Sequence, residues 1–310
     1  MIPICLVTGF LGCGKTTFLR HVIGRYAGRK IVYLINDFAS INVDASLLNG
    51  PDRDVVSIAG GSIFCKCLVT EFVGQLRSLP ARFGGEGAPI QGVVIEASGI
   101  ANPKVIADML RETRLDAAYR IASVVAVVEP RSLSKLLKTL PNIRAQIEAA
   151  DTVLLNKTDL FDEAAITACE ATLRDITANA RIIRTTFGSA DLDLFAEGRG
   201  HDGLHGEYAP CRDPHFASAS VAIRLPVDPD KLGNALGATG DLFYRVKGFV
   251  PTTTGTAYVD FSAAGLTIAP AGETTDGGLV MIAKGEERPA LDDFAKRLEA
   301  GAFSVGSTAN

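Results

Sequence analysis

The sequence predicts an α/β fold, a mostly parallel sheet covered by helices, with a smaller C-terminal α+β domain. Short apolar runs bounded by Gly or Pro alternate with helix-length segments through residues 1–190, the pattern of a parallel sheet buried on both faces. A glycine-rich loop separates the first of these runs from the first helical stretch. From Phe216 onward the rhythm changes to closely spaced short strands.

In order, Ile4–Phe10 reads as a strand and Thr16–Ala27 as a helix stopped by Gly28. Further strands are read at Lys30–Asp37, Gly92–Gly99, Ser123–Pro130, Thr152–Leu160 and Ala180–Gly188. The stretches Leu133–Ala150 and Glu163–Ala180 supply two covering helices. Residues 191–215 carry Gly198, Gly200, Gly203, Gly206, Pro210 and Pro214 with no apolar period, and read as a linker between domains 1–190 and 216–310. In the second domain SASVAIRLPV, DLFYRVKGFV, TAYVDFSAAGLTIAP and GLVMIAKG read as antiparallel strands. One helix opens near Asp228–Lys231 and another covers Arg288–Leu298.

Composition narrows the function classes. The chain has 310 residues, 47% hydrophobic and 21% charged, an ordinary globular balance long enough for two cores. Its net charge of −4 and lack of Lys/Arg runs argue against a nucleic-acid partner. The apolar start MIPICLV meets the glycine loop too early for a membrane span and lacks the cleavage signature of a secretory signal. Six Cys without such a signal point to reduced thiols and a cytoplasmic location.

The loop itself, Gly9 to Thr16, spells GFLGCGKT and fits G-x-x-x-x-G-K-[ST] between a predicted strand and a predicted helix, the mark of a P-loop NTPase. Glycines let successive N–H groups turn inward, and the helix behind adds its positive end. Gly12, Cys13, Gly14 and Thr17 belong to this cradle; Lys15 reaches the β- and γ-phosphates and the Thr16 hydroxyl ligates Mg²⁺. Far down the chain, Asn156-Lys157-Thr158-Asp159 gives N-K-x-D at the end of the apolar strand TVLL. A carboxylate there matches the ring N–H and exocyclic amine of guanine, a donor pair adenine lacks, so the nucleotide is read as GTP/GDP. Lys157 lies along the base and Asn156 braces the loop.

Two further acids end strands: Asp37, and Glu96 in VVIEASG, where a Mg²⁺-binding carboxylate is expected. Gly99 is placed to offer its N–H to a γ-phosphate. Lys15, Asp37 and Glu96 are therefore the candidate catalytic residues.

These pieces together resemble the CobW-like family of GTPases, relatives of the urease and hydrogenase nickel-insertion GTPases. The resemblance rests on GFLGCGKTTFL, the IND before Phe38 with Val43-Asp44 downstream, IEASGIANP, QIEAADTVLLNKTDL and RVKGF, in family order over nearly the whole chain. It implies a Mg²⁺-dependent GTPase acting as a metallochaperone or in cobalamin-related metal delivery. A client metalloenzyme or corrinoid protein and a nucleotide-dependent homodimer are the implied partners. It also places Thr186, Phe187 and Gly188 at the base pocket.

One segment departs from the family. Its G-C-x-C-C thiolate motif is replaced by Gly60-Gly61-Ser62-Ile63-Phe64-Cys65-Lys66-Cys67, which keeps one cysteine and adds another. In an extended segment Cys65 and Cys67 face one side and grip a soft cation such as Zn²⁺ or Co²⁺, with further ligands from elsewhere. The alternative is a pair of small buried or redox-active thiols. Cys13 reads as a small loop residue, with an oxidation-sensitive thiol near Lys15 as the alternative. Cys169, on a helix's apolar side, and Cys211, in the linker, are assigned no role. His201, His205 and His215, with Asp202 and Glu207, read as a solvated linker, with an accessory metal role as the alternative. Arg245 and Lys247 face either a partner or water. Two competing functions remain: a GTP-gated remodelling factor for a corrinoid or metalloenzyme client, and a small-molecule kinase, for which no acceptor motif stands out.

Overall fold

Seven parallel strands build the first sheet: β1 (Ile2–Thr8), β2 (Ile31–Asp37), β3 (Asp54–Ala59), β4 (Gly92–Glu96), β5 (Tyr119–Val128), β6 (Thr152–Leu155) and β7 (Arg181–Arg184). Their order is β3-β2-β4-β1-β5-β6-β7. The helices between them are α1 (Lys15–Arg25), α2 (Val69–Phe83), α3 (Val105–Glu112), α4 (Pro130–Thr139), α5 (Pro141–Ala149) and α6 (Glu163–Ile176). The computed structural model describes residues 1–37, 54–59, 62–85, 88–196, 201, 203–210, 215–262, 265–271 and 277–306. For Asp37 and Ala59 the backbone alone is described. Phe38, Val43, Asp44, Gly60, Gly61, Gly198, Gly200, Asp202, Cys211 and Pro214 lie outside the described residues.

The central strands are apolar because both of their faces are covered: every residue of β4, and Ile4 to Thr8 of β1, is buried. Three elements have no counterpart in the sequence reading. β3 is six residues long, and α2 carries Gly74 and Pro80, which read as breakers although Phe72, Val73, Leu76 and Leu79 keep a buried helical face. α3 is eight residues with five buried, too short and too apolar to show a period.

Boundaries move for identifiable reasons. The single helix expected over Leu133–Ala150 is two, because Pro141 forces Leu140 into an extended conformation (φ −132°, ψ 104°). The strand expected to reach Leu160 stops at Leu155, since Lys157 is left-handed (φ 61°) and Thr158–Leu160 forms a 3-10 turn.

The segment read as a linker packs on the first sheet. Leu192, Leu194 and Phe195 enter the core cluster of β1, α1 and β2, and Phe195 meets Tyr26 edge-on at 5.3 Å. The start of β4 must be glycine for this, as a Cβ on Gly92 would lie 2.5 Å from the Phe195 ring. Further on, His201 is 8% exposed and Ala209 forms an isolated parallel bridge with Cys65. Contacts accordingly divide the chain into one unit of Met1–Phe38 and Asp44–Cys211 and another of Ala39–Val43 and Arg212–Asn310. Among the described residues of this stretch, Leu192, Leu194, Phe195 and His201 are buried and Ala209 is bridged to Cys65, so the linker reading is corrected for these, while Gly203, His205, Glu207 and Pro210 are exposed.

In the second unit β8 (Phe216–Ala222), β9 (Phe243–Thr252), β10 (Gly255–Ser262), β11 (Gly265–Ala271) and β12 (Gly278–Lys284) form an antiparallel sheet in the order β11-β10-β9-β12-β8. A two-residue turn joins β9 to β10, with Thr252 opposite Gly255, whose φ of 132° suits glycine. α7 (Pro229–Gly237) is capped by Asp228, whose carboxylate accepts from Asp230 and Lys231 amides. α8 (Arg288–Glu299) buries Leu291, Phe294 and Leu298 in the sheet's core cluster. Arg245 is held across the strands by both Asp260 oxygens at 2.9 and 3.2 Å, and Lys247 is buried. Burial raises the Asp260 carboxyl pKa, but the Arg245 charge overrides it and leaves the group below its ordinary value. No described helix is long and apolar enough to cross a membrane.

Candidate nucleotide and metal site

The phosphate loop lies at the C-terminal end of β1, in the middle of the sheet where open α/β folds bind ligands. Gly9, Gly12 and Gly14 have φ of 132°, 79° and 108°. A Cβ on Gly9 would stand 2.2 Å from the Val127 carbonyl oxygen, and one on Gly14 2.2 Å from Asn156 Nδ2. The glycines are therefore required by backbone shape and by contact. Lys15, 6% exposed, turns back along the loop and donates to the carbonyls of Gly9 (2.8 Å) and Phe10 (3.2 Å). Thr16 and Thr17 stand half-buried in the first turn of α1. Burial pushes the Cys13 thiol above its ordinary pKa, with Lys15 opposing, which disfavours the reactive thiolate.

Asn156 joins this loop to the segment beyond β6. It is 1% exposed; its Nδ2 donates to the Cys13 carbonyl (2.9 Å) and its Oδ1 accepts from the Gly188 amide (2.9 Å). One carboxamide thus holds the phosphate loop against the turn after β7. In that turn Phe187 is left-handed (φ 53°) and exposed, and Thr186 is half-buried with its hydroxyl 3.5 Å from that of Thr158. Asp159 sits exposed in the 3-10 turn, its carboxylate free of the core.

The sequence reading missed Glu129. It is 7% exposed at the end of β5, and its Oε2 accepts from Lys157 Nζ at 2.8 Å while its Oε1 accepts from the Ser132 hydroxyl at 3.1 Å. Its signal was the one carried by Asp37 and Glu96, an acid at the C-terminal end of a predicted strand, here Ser123–Pro130. Glu129→Gln removes the charge that orients Lys157 while keeping the shape. It is expected to weaken guanine-nucleotide binding about tenfold, the worth of one charge-assisted hydrogen bond. Titration of a fluorescent GDP checks this, and an unchanged Kd means that Lys157 is oriented without Glu129.

The two remaining acids end neighbouring strands, with Glu96 opposite Ile35 in the β2–β4 register and Asp37 two residues further along β2. Glu96 is 3% exposed. The loop that follows is closely held: α5 donates from Gln146 to the carbonyls of Gly99 (3.2 Å) and Ala101 (3.0 Å), and from Asn142 to that of Ile100 (2.8 Å). A Cβ on Gly99 would lie 2.6 Å from the Leu11 amide, so glycine is what lets this loop rest on the phosphate loop. The buried hydroxyls of Thr8 and Ser98 have no hydrogen-bond partner among the described residues. A lysine, a helix N-terminus, hydroxyls and a buried carboxylate fit a magnesium nucleotide, whose phosphates want donors and whose cation wants hard oxygen ligands.

The thiol segment differs from expectation in its backbone. It is a turn rather than an extended run: the Cys65 amide donates to the Ser62 carbonyl (2.9 Å), and the amides of Leu68 (3.2 Å) and Val69 (3.0 Å) donate to the Cys65 carbonyl as α2 begins. The turn still brings the sulfurs together, at 2.7 Å, with Cys65 buried and Cys67 exposed. No third Cys, His, Asp or Glu completes a metal-binding group among the described residues. Within the first unit, His201 and His205 have separate carboxylate partners. His201 Nε2 meets Asp151 at 2.7 Å, His205 Nδ1 meets Asp108 at 2.9 Å, and His215 belongs to the second unit.

With this geometry in place, comparison with known proteins places the chain. Residues 3–184 match the family model of the CobW/HypB/UreG nucleotide-binding domain. The chain is 27% identical over 291 residues to the zinc chaperone CobW of Pseudomonas aeruginosa, covering 80% of this chain and 76% of that one. It is 28% identical over 264 residues to the zinc chaperone YjiA of Escherichia coli, covering 80% and 81%. Among solved structures, the Zn(II)-bound YjiA GTPase from E. coli aligns with a TM-score of 0.47 at 22% identity, over 94% of this chain and 98% of that one. The chain belongs to the CobW/HypB/UreG family of nucleotide-binding proteins.

Proposed function

We propose that this protein binds GTP with Mg²⁺, hydrolyses it, and uses the cycle to hand a thiolate-bound transition metal, zinc, to a client metalloprotein. The observation that carries the nucleotide half is the Asn156 carboxamide, which fastens the phosphate loop to the loop bearing Lys157 and Asp159. In this reading Gly12 to Thr17 hold the phosphates, Lys15 neutralises charge that builds on the transferred phosphoryl, and Asp159 reads guanine. Thr16 and Glu96 would hold Mg²⁺, which when bound supplies further charge neutralisation at the phosphates. Asp37 acts from the end of β2 toward the attacking water, and Gly99 offers its amide to the γ-phosphate. Thr186 and Phe187 line the base pocket.

The metal half rests on the paired sulfurs of Cys65 and Cys67. A two-thiolate grip leaves coordination positions open, which suits a cargo that must pass to a client rather than a resident structural ion. Relatives named as zinc chaperones make zinc the first ion to test. Titrating Zn²⁺ against a competing chelator should show Cys65→Ser/Cys67→Ser losing affinity by about 100-fold or more, given the roughly 10–16 kcal/mol that four ligands share in zinc peptides. Equal affinity in the two proteins would leave the metal role without a site and favour the GTP-gated remodelling of a client.

A further inference from the structure

Asn36 precedes the acid at the end of β2, and its side chain is 4% exposed. Its carboxamide bonds to the backbone of three separate segments. Nδ2 donates to the Ile58 carbonyl of β3 at 3.3 Å, and Oδ1 accepts from the amides of Ile63 (3.0 Å) and Ser98 (3.2 Å). Ile63 belongs to the turn that carries Cys65 and Cys67, and Ser98 to the loop that follows Glu96. One oxygen, both lone pairs in use, therefore ties the thiol turn to the nucleotide-side loop.

The surroundings make this tie consequential. Beyond Ser98 the loop is anchored by Gln146 and Asn142 of α5, and it lies against the phosphate loop at Gly99. The thiol turn has its own anchor on the other side, where the Lys66 amide donates to the Ala209 carbonyl (3.0 Å) and the Ala209 amide to the Phe64 carbonyl (3.0 Å). Buried as it is, an Asn36 oxygen that loses one amide has little access to water as a replacement. A shift of the Ser98 amide would therefore either leave this oxygen short of a donor or carry the carboxamide, and with it Ile63, along.

We propose that Asn36 is the positioning residue that couples nucleotide state to metal affinity at the Cys65–Cys67 pair. The proposal rests on the GTPase metallochaperone reading above and names the side chain that links its two halves. Linkage requires the coupling to be reciprocal: if GTP changes zinc affinity, zinc changes GTP affinity by the same factor.

The test is the ratio of zinc Kd values measured with GDP and with a non-hydrolysable GTP analogue. In the wild type this ratio is expected to depart from one by about 5- to 150-fold, the usual span of coupling between sites. Asn36→Ala should bring it to about one, while Asn36→Asp, which keeps both acceptor contacts, should retain most of it; GDP affinity reports that each variant is folded. Hydrogen exchange on the wild type needs no substitution: the Ile63 and Ser98 amides should change protection together when the analogue replaces GDP. A wild-type ratio of one sinks nucleotide gating itself and Asn36 coupling with it. A wild-type ratio that survives in Asn36→Ala, or an Ile63 amide indifferent to a change at Ser98, overturns Asn36 coupling alone.

Discussion

Asp159→Asn is expected to weaken GTP binding about 100-fold and to shift preference toward the xanthine nucleotide. Asp159 is exposed at the edge of the sheet where β6 ends, so its carboxylate is available to a base. Guanine offers two donors on one edge, and a carboxylate accepts both. Turning one charge-assisted hydrogen bond into a neutral one and replacing the other by a donor facing a donor costs about 3 kcal/mol. An amide in the same place accepts from the ring N–H but presents its own donors to the second position, where xanthine carries a carbonyl. The loop itself should survive the change, because Asn156, not Asp159, makes the bonds that hold it: to the Cys13 carbonyl and from the Gly188 amide. Competition among GTP, XTP and ATP against a fluorescent GDP reads this out. A variant that keeps the wild-type order of the three nucleotides would mean that Asp159 does not face the base.

Lys15→Ala should lower the rate of GTP hydrolysis by roughly 100- to 1,000-fold, the effect of removing one preorganised group that stabilises transition-state charge. Its effect on stability should be far smaller. The ammonium donates to the carbonyls of Gly9 and Phe10, and their loss of a donor costs about 1–2 kcal/mol. Phosphate release and thermal unfolding, measured side by side, separate the two. If activity falls only in proportion to the folded fraction, Lys15 is a structural residue of the loop and not part of the chemistry.

The phosphate loop was legible because its chemistry is local. Gly9 to Thr16 needs a fixed spacing, a strand before it and a helix after it, and all of these are written in consecutive residues. The N-K-x-D segment was legible for the same reason. Elements failed to appear where local pattern and burial disagree. α3 hides its face because five of its eight residues are buried, and α2 hides its helix behind Gly74 and Pro80. Leu192, Leu194 and Phe195 look like three apolar residues at the head of a Gly/Pro-rich tract; that they complete a core with Tyr26 is decided by residues far away in the chain.

Residue types and their spacing determined, without any coordinates, that a nucleotide is held and that guanine is the base expected; they also set two cysteines two positions apart as candidate ligands of one ion. The tertiary structure decided the connections. It closed Asn156 onto the phosphate loop, set Glu129 against Lys157, turned rather than extended the Cys65–Cys67 segment, and put Asn36 between that turn and the loop after Glu96. The division has one physical origin. A phosphate cradle is made from neighbouring backbone groups, so its pattern is contiguous, whereas a buried carboxamide is satisfied by whatever segments the sheet brings past it, and strand order is not written in any one stretch of sequence.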